Sequence, residues 1–291
     1  MRSLTRTLLE TLVARRPRRA LQASCAKLDV YAVHLRLPTT SPLFRAGGGE
    51  TLELPMDDAI APYVLEHYSW EPDVVDLICR HAPPGPAVLL DLGAHVGLVT
   101  RQLVHRLPEL AAAVCFEPHP RHFPVLTRNL AHLPQCRLVQ AAVSVVDGDL
   151  DFYEDSRNTG NYSLNLDAMR GREYRTTSVR CLRAAETNLL APLPPELRDS
   201  PIVWKSDLQG MDELIVAALP DAFWSRVHTG VVELWRIERP GFDRGRLAEI
   251  LAAFPVRRFT DDPERNVAVD EVLSFCAGAD YADRDLFFAR R

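Results

Sequence analysis

Apolar residues change their spacing from one segment of the chain to the next, and the changes mark out its elements. Val74, Val75, Leu77 and Ile78 share one face at helical spacing, and PPGP at 83–86 ends that pattern before the short apolar run AVLL at 87–90. A run that short, bounded by a breaker, reads as a buried strand. Beyond it the pattern predicts a helix over about 96–106, a strand over 112–116, a helix over about 121–132 and a strand RLVQAAV over 137–143. Alternation at this spacing implies parallel pairing with right-handed crossovers.

Between Asp147 and Arg183 the alternation stops. LDFYE, YSLNL and TTSVRCL have period two and are joined by the turn formers of SRNTGN, which predicts antiparallel strands inserted into or added to the sheet. After APLPPELRDSP the rhythm returns with a strand at 202–207, a helix from Met211, a strand at 230–235, a helix at 243–253 and strands near VRRFT and DLFFAR. Five parallel strands and a final pair make an α/β, Rossmann-like, doubly wound sheet, in which ligands sit beyond the carboxyl ends of the strands. Residues 1–55 read as an N-terminal extension (a lid, a dimer arm or a peripheral helix), and 56–291 as one domain with an insertion at about 147–185.

The strand AVLLD runs into DLGAHVG, which puts Asp91, Gly93 and Gly97 at its carboxyl end and in the turn to the next helix. Glycine there permits positive φ and a close backbone approach to a ligand, and the helix start that follows presents unpaired N–H groups. G-x-x-x-G is neither the G-x-G-x-x-G of a dinucleotide site nor a phosphate loop with GK[ST]. A nucleoside without phosphates fits better, S-adenosylmethionine being the common one. The next strand ends in CFEPHP, and Glu117, 26 positions past Asp91, stands where an acid accepts both ribose hydroxyls.

In this order DLGAHVGLVT, FEPHPRHFPVLTRNL, QAAVSVVDGDLDFYE, NYSLNL, VWKSDLQGMDELIVAAL and VVELW resemble the FkbM family of S-adenosylmethionine-dependent methyltransferases, over roughly residues 68–235. The resemblance implies the class I methyltransferase fold, a seven-stranded, mostly parallel sheet with one antiparallel strand. It also implies O-methylation of a hydroxyl on a small molecule such as a natural product or sugar, with S-adenosylhomocysteine as product. Asp91, with Gly93, Ala94 and Gly97 of the loop, would then border the methionine end, and Glu117 with Pro118 the ribose. Ala142 and Ser144 would lie near the adenine. His95 departs from the family's usual asparagine, and either makes the same hydrogen bond or is a local polar substitution. Glu71 would meet the cofactor's ammonium or cap the helix after it.

VWKSDLQG departs mildly from the family's K-[IV]-D-[VI]-[EQ]-G at Ser206 and Leu208 and carries the accepted variant Gln209. Lys205 and Asp207, two apart, leave one face at the carboxyl edge of the sheet. Asp207 is expected to orient or deprotonate the acceptor hydroxyl, and Lys205 to stabilise the oxyanion or, with its pKa lowered, to act as base. Glu233 would hold substrate or a metal or cap a turn. Asn158, Asn161 and Ser163 would form a substrate wall. His119 and His122, three apart and without a third ligand, read as surface helix.

Composition narrows the partners. A net charge of −5 gives no footprint for nucleic acid, and no apolar run is long enough to span a bilayer, so a cytoplasmic enzyme with a small-molecule or carrier-bound acceptor is expected. The local exception is the start, where six arginines fall within residues 1–20 and a membrane-surface or acidic-partner role competes with a solvated helix. Six scattered cysteines without a CxxC pair read as buried thiols. Dependence on a divalent ion and homo-oligomerisation stay open, as do N-methylation, protein or RNA methylation, a nicotinamide oxidoreductase and a non-catalytic module on the same fold.

Overall fold

A computed structural model describes residues 31–236 and 242–291; the Arg-rich start and Cys25 lie outside them. The strands, in chain order, are β1 (Ala32–Arg36), β2 (Thr51–Pro55), β3 (Ala87–Leu92), β4 (Leu110–Phe116), β5 (Cys136–Val139), β6 (Ala142–Ser144), β7 (Gly148–Asp155), β8 (Tyr174–Arg183), β9 (Ile202–Ser206), β10 (Val227–Trp235), β11 (Val256–Phe259) and β12 (Asp283–Ala289). Seven of them form one sheet in the order β11-β12-β10-β9-β3-β4-β5. β3, β4, β5, β9 and β10 pair parallel, and β12 runs antiparallel to both β10 and β11. Counted along the chain this is the order 3-2-1-4-5-7-6 with the seventh strand reversed, the class I methyltransferase fold expected from the motifs.

The sheet is buried on both faces because its strands are apolar on both. In β3 every residue is buried: Val88, Leu90 and Leu92 enter one core cluster, and Ala87 and Leu89 enter the cluster on the opposite face. Strand order reverses at β3, between β4 and β9, and the crevice at such a switch point is where doubly wound sheets bind ligands.

Two expectations need correction. RLVQAAV is not one strand: β5 ends at Val139, and Ala142–Ser144 pairs with β8 in a separate three-stranded sheet, order β6-β8-β7. The insertion therefore adds no strand to the main sheet but builds a second one beside its carboxyl edge. The β1–β2 hairpin is fastened to the main body by Arg101, a buried guanidinium that donates to the carbonyls of Leu43, Gly49, Thr51 and Asn129 at 2.5–3.2 Å. Four carbonyls around one buried cation satisfy four of its five donors where no carboxylate does. No helix among the described residues is long and apolar enough to cross a membrane.

Candidate functional site

The turn after β3 is built from left-handed residues: Gly93 at φ 79°, His95 at 50° and Gly97 at 84°. A Cβ on Gly93 would stand 2.0 Å from the carbonyl oxygen of Asp207, so it is the end of β9, not a ligand, that demands glycine here. The amides of Gly93 and Ala94 already donate to the Phe116 carbonyl, at 3.0 and 2.9 Å. The loop amides expected at the methionine end are thus occupied, and the N–H groups left for a ligand are those opening the helix Leu98–Arg106, whose Leu98 and Val99 line the cavity.

That cavity has a volume of about 370 Å³, within the range of small-molecule sites. It runs along the carboxyl edge of the sheet and is roofed by the second sheet and the turn 158–162. Of the residues singled out in the sequence, Glu71, Gly93, Ala94, His95, Glu117, Pro118, Ala142, Asn161, Lys205, Asp207 and Glu233 line it, whereas Asp91, Gly97, Ser144 and Ser163 do not. Gly97 opens the helix against Leu126 and Leu130, and Ser144 is buried in β6. Ser163 is buried too, and its hydroxyl donates to the Gln209 carbonyl at 2.7 Å. Asn161 is held by donation to Asp155.

At one end, Glu117 Oε2 accepts from the His95 amide (2.9 Å) and Oε1 from the His119 amide (2.8 Å). Burial pushes the Glu117 carboxyl up, while the nearby imidazoles and these two amides pull it back. Behind it His119 and His122 are only 1% exposed, which corrects the surface-helix reading. Their rings meet at 4.3 Å, His95 meets His122 edge-on at 4.4 Å, and Tyr162 stacks on His122 at 4.8 Å. Burial lowers the pKa of all three histidines and keeps them neutral near pH 7. His95 Nε2 and His122 Nε2, both on cavity-lining residues, have no hydrogen-bond partner. No group of three or more His, Cys, Asp or Glu among the described residues is arranged to hold a metal ion.

The middle of the site belongs to Lys205. Its ammonium donates to the Gly93 carbonyl at 3.0 Å and lies 3.4 Å from Asp91 and 3.8 Å from Asp207. Asp91 itself accepts from the Thr100 hydroxyl at 2.5 Å, so it reaches the cavity only through the lysine. Burial alone would lower the Lys205 pKa, but Asp91, Asp207 and Glu71 together outweigh it and push it up. Lys205 stays protonated, which removes the alternative of a lysine base. Glu71, left-handed at φ 45° ahead of the helix Pro72–Arg80, makes no side-chain cap and lines the cavity instead; burial pushes its carboxyl up to about 7 against the pull of Lys205.

Gln209 went unselected in the sequence beyond its place in the motif. Its side-chain amide donates to Asp207 Oδ1 and to Glu233 Oε1, both at 2.8 Å, while its own backbone sits left-handed at φ 50°. Trp235 Nε1 donates to the other Glu233 oxygen at 2.7 Å. Among the described residues, three of the five positive-φ residues other than glycine, Glu71, His95 and Gln209, line this cavity, and strained backbone concentrates at functional sites. Asp283 and Asp285 of β12 also line it. Their signal was present as two acids one residue apart on a strand, hence on one face.

No family model matches the chain, and no curated relative matches it. Among solved structures it is similar to the 23S rRNA methyltransferase ErmE, at 15% identity over 75% of this chain and 67% of that one, with a TM-score of 0.34. It is also similar to the methyltransferase FkbM from Methylobacillus flagellatus KT, at 13% identity over 70% and 43% of the two chains (TM-score 0.38), and to EvdMO1, at 13% over 75% and 41% (TM-score 0.37). The matched region spans less than half of each of the last two. At such scores these likenesses carry no weight, and the fold rests on the strand order.

Proposed function

We propose that the chain is an S-adenosylmethionine-dependent methyltransferase of the FkbM type that methylates a hydroxyl of a small molecule. The observation that carries this reading is Glu117, a buried carboxylate at the end of the strand next to β3, aimed by two backbone amides into the cavity. Held in that way, its outer lone pairs can accept from both hydroxyls of a ribose. The cavity next to it is lined by Pro118, Ala142, Val143 and Phe152, an apolar slot suited to an adenine ring. Glu71 lies near Asp91, Lys205 and Asp207, where a carboxylate suits the ammonium of the methionine end.

Bound there, the cofactor would supply an electrophilic methyl on a sulfonium, whose carbon–sulfur electron pair stays with sulfur as the acceptor oxygen takes the methyl. The chain's own part is to orient the acceptor and receive its proton. Asp207 lines the cavity next to Lys205, and Gln209 fixes one of its oxygens. Its other oxygen takes the hydroxyl proton, and so the oxygen–hydrogen pair becomes the new oxygen–carbon bond. Lys205, held cationic, anchors Asp207 and the Gly93 turn in one arrangement.

Titration calorimetry with S-adenosylhomocysteine tests the reading. Micromolar binding is expected, and Glu117→Ala should weaken it about tenfold to a hundredfold, the worth of hydrogen bonds to a charged group. Wild-type affinity in a folded Glu117→Ala protein would remove the ribose assignment.

A further inference from the structure

The far end of the cavity carries two facing carboxyls. Glu233 and Asp285 stand directly opposite each other in the antiparallel ladder of β10 and β12, and both line the cavity. Like charges so placed on neighbouring strands repel. Both oxygens of Glu233 are taken by Gln209 and Trp235, but the Asp285 carboxylate receives no hydrogen bond or ion pair from any described residue. Burial, with Asp207 close to both, pushes the two carboxyls well above the usual range.

Lys205 offsets the pair only in part. Among the described residues seven carboxylates line the cavity against two cationic side chains. Lys205 is engaged by Asp91, Asp207 and the Gly93 carbonyl, and Arg284 lies 2.5 Å from Asp261 with its guanidinium 3.7 Å over the Phe259 ring. Position along the sheet decides which ligand is concerned. Glu117 follows β4, and Asp285 lies on β12, four strands away, a distance of roughly 19 Å at about 4.8 Å per strand. The nucleoside occupies the first end and the methionine portion the middle, above β3 and β9. The pair on β10 and β12 therefore faces the acceptor. A metal ion is a poor occupant, for want of a ligand set. A neutral hydroxyl would give the pair no counter-charge, whereas an ammonium brings one positive charge and three donors to two carboxyls and favours their ionised forms.

We propose that the methyl acceptor carries a protonated amino group docked between Glu233 and Asp285, which holds its reacting hydroxyl over Asp207; the substrate class is a small hydroxylated amine of the amino-sugar kind. This rests on the methyltransferase reading above. No bond to nitrogen changes, and the amine serves as the handle by which the acceptor is oriented.

The test uses the full chain saturated with S-adenosylhomocysteine and three matched probes: glucosamine, N-acetylglucosamine and glucose, together with the pair ethanolamine and ethylene glycol. By calorimetry near pH 7, each amine is expected to bind about tenfold or more tightly than its neutral counterpart. Asp285→Asn, a near-isosteric change, should erase that preference and leave the affinity for S-adenosylhomocysteine as it was. Equal binding of amines and neutral probes, an undiminished preference in Asp285→Asn, or no binding of either amine at about 10 mM would each overturn the proposal. Failure of S-adenosylhomocysteine itself to bind would instead overturn the methyltransferase reading.

Discussion

Glu117 and Asp285 are both carboxylates turned into one cavity, and their surroundings differ in kind. Glu117 is held by the amides of His95 and His119, fixed points of the backbone, with neutral imidazoles behind it. The other end is held by side chains instead: Lys205 against Asp91 and Asp207, and the single amide of Gln209 shared by Asp207 and Glu233. Backbone amides suit a ligand group that never changes, as proposed for the ribose. Side-chain carboxylates can be exchanged one at a time, so on the proposed function the variable partner is read where the frame is soft and charged.

The contrast has a thermodynamic form that three experiments address. The largest effect is expected from Lys205→Met, which strands Asp91 and Asp207 without their cation. Urea unfolding should show a loss of about 3–5 kcal/mol. A loss below about 1 kcal/mol would mean that charge does not hold this end, and the distinction between the two ends would collapse. Next is Gln209→Ala, which frees one oxygen of each of Asp207 and Glu233. The turnover number is expected to fall about tenfold, with affinity for S-adenosylhomocysteine unchanged; a matching loss of that affinity would make Gln209 a merely structural residue.

The smallest effect is expected at Glu71, pushed up to about 7 by burial. It is ionised above that pH, so its contact with a cationic ligand is present there and lost as pH falls. Binding of S-adenosylmethionine should weaken several-fold between about pH 8 and pH 6, and Glu71→Gln should flatten the dependence. Stability has the opposite sign. A carboxyl raised from 4.5 to about 7 on folding gives up stability as pH rises through that window. Glu71→Gln should accordingly melt at a higher temperature than the wild type at pH 8, and at the same temperature below pH 4.5.

The sequence makes the scaffold of this site readable and its chemistry only in part. The run AVLLD, the glycines after it and Glu117 follow from local pattern, since strand, turn and next strand lie within 30 residues. RLVQAAVS does not reveal that the chain changes sheets after Val139, because residues on either side of the change are equally apolar. His119 and His122 looked solvated because the ring that covers them, Tyr162, comes some 40 residues later from the turn between β7 and β8. Asp285 was legible as an acid on a strand, but its opposite number, Glu233, lies in another strand of the ladder, and periodicity within one strand contains no register between two. Gln209 was visible only as a tolerated letter in a motif. Its importance lies in reaching two carboxylates at once, a property of geometry rather than of composition.

The missing side chain at position 93 has a consequence for how this fold can be altered. With the Asp207 carbonyl filling the space where a Cβ would be, and the Lys205 ammonium closing on the Gly93 carbonyl from the same strand end, the two turns interlock like the halves of a clasp. A segment carrying a different acceptor preference cannot be transplanted at 205–209 alone. It must travel together with 91–97, and the pair constitutes the smallest unit in which this end of the cavity can be redesigned.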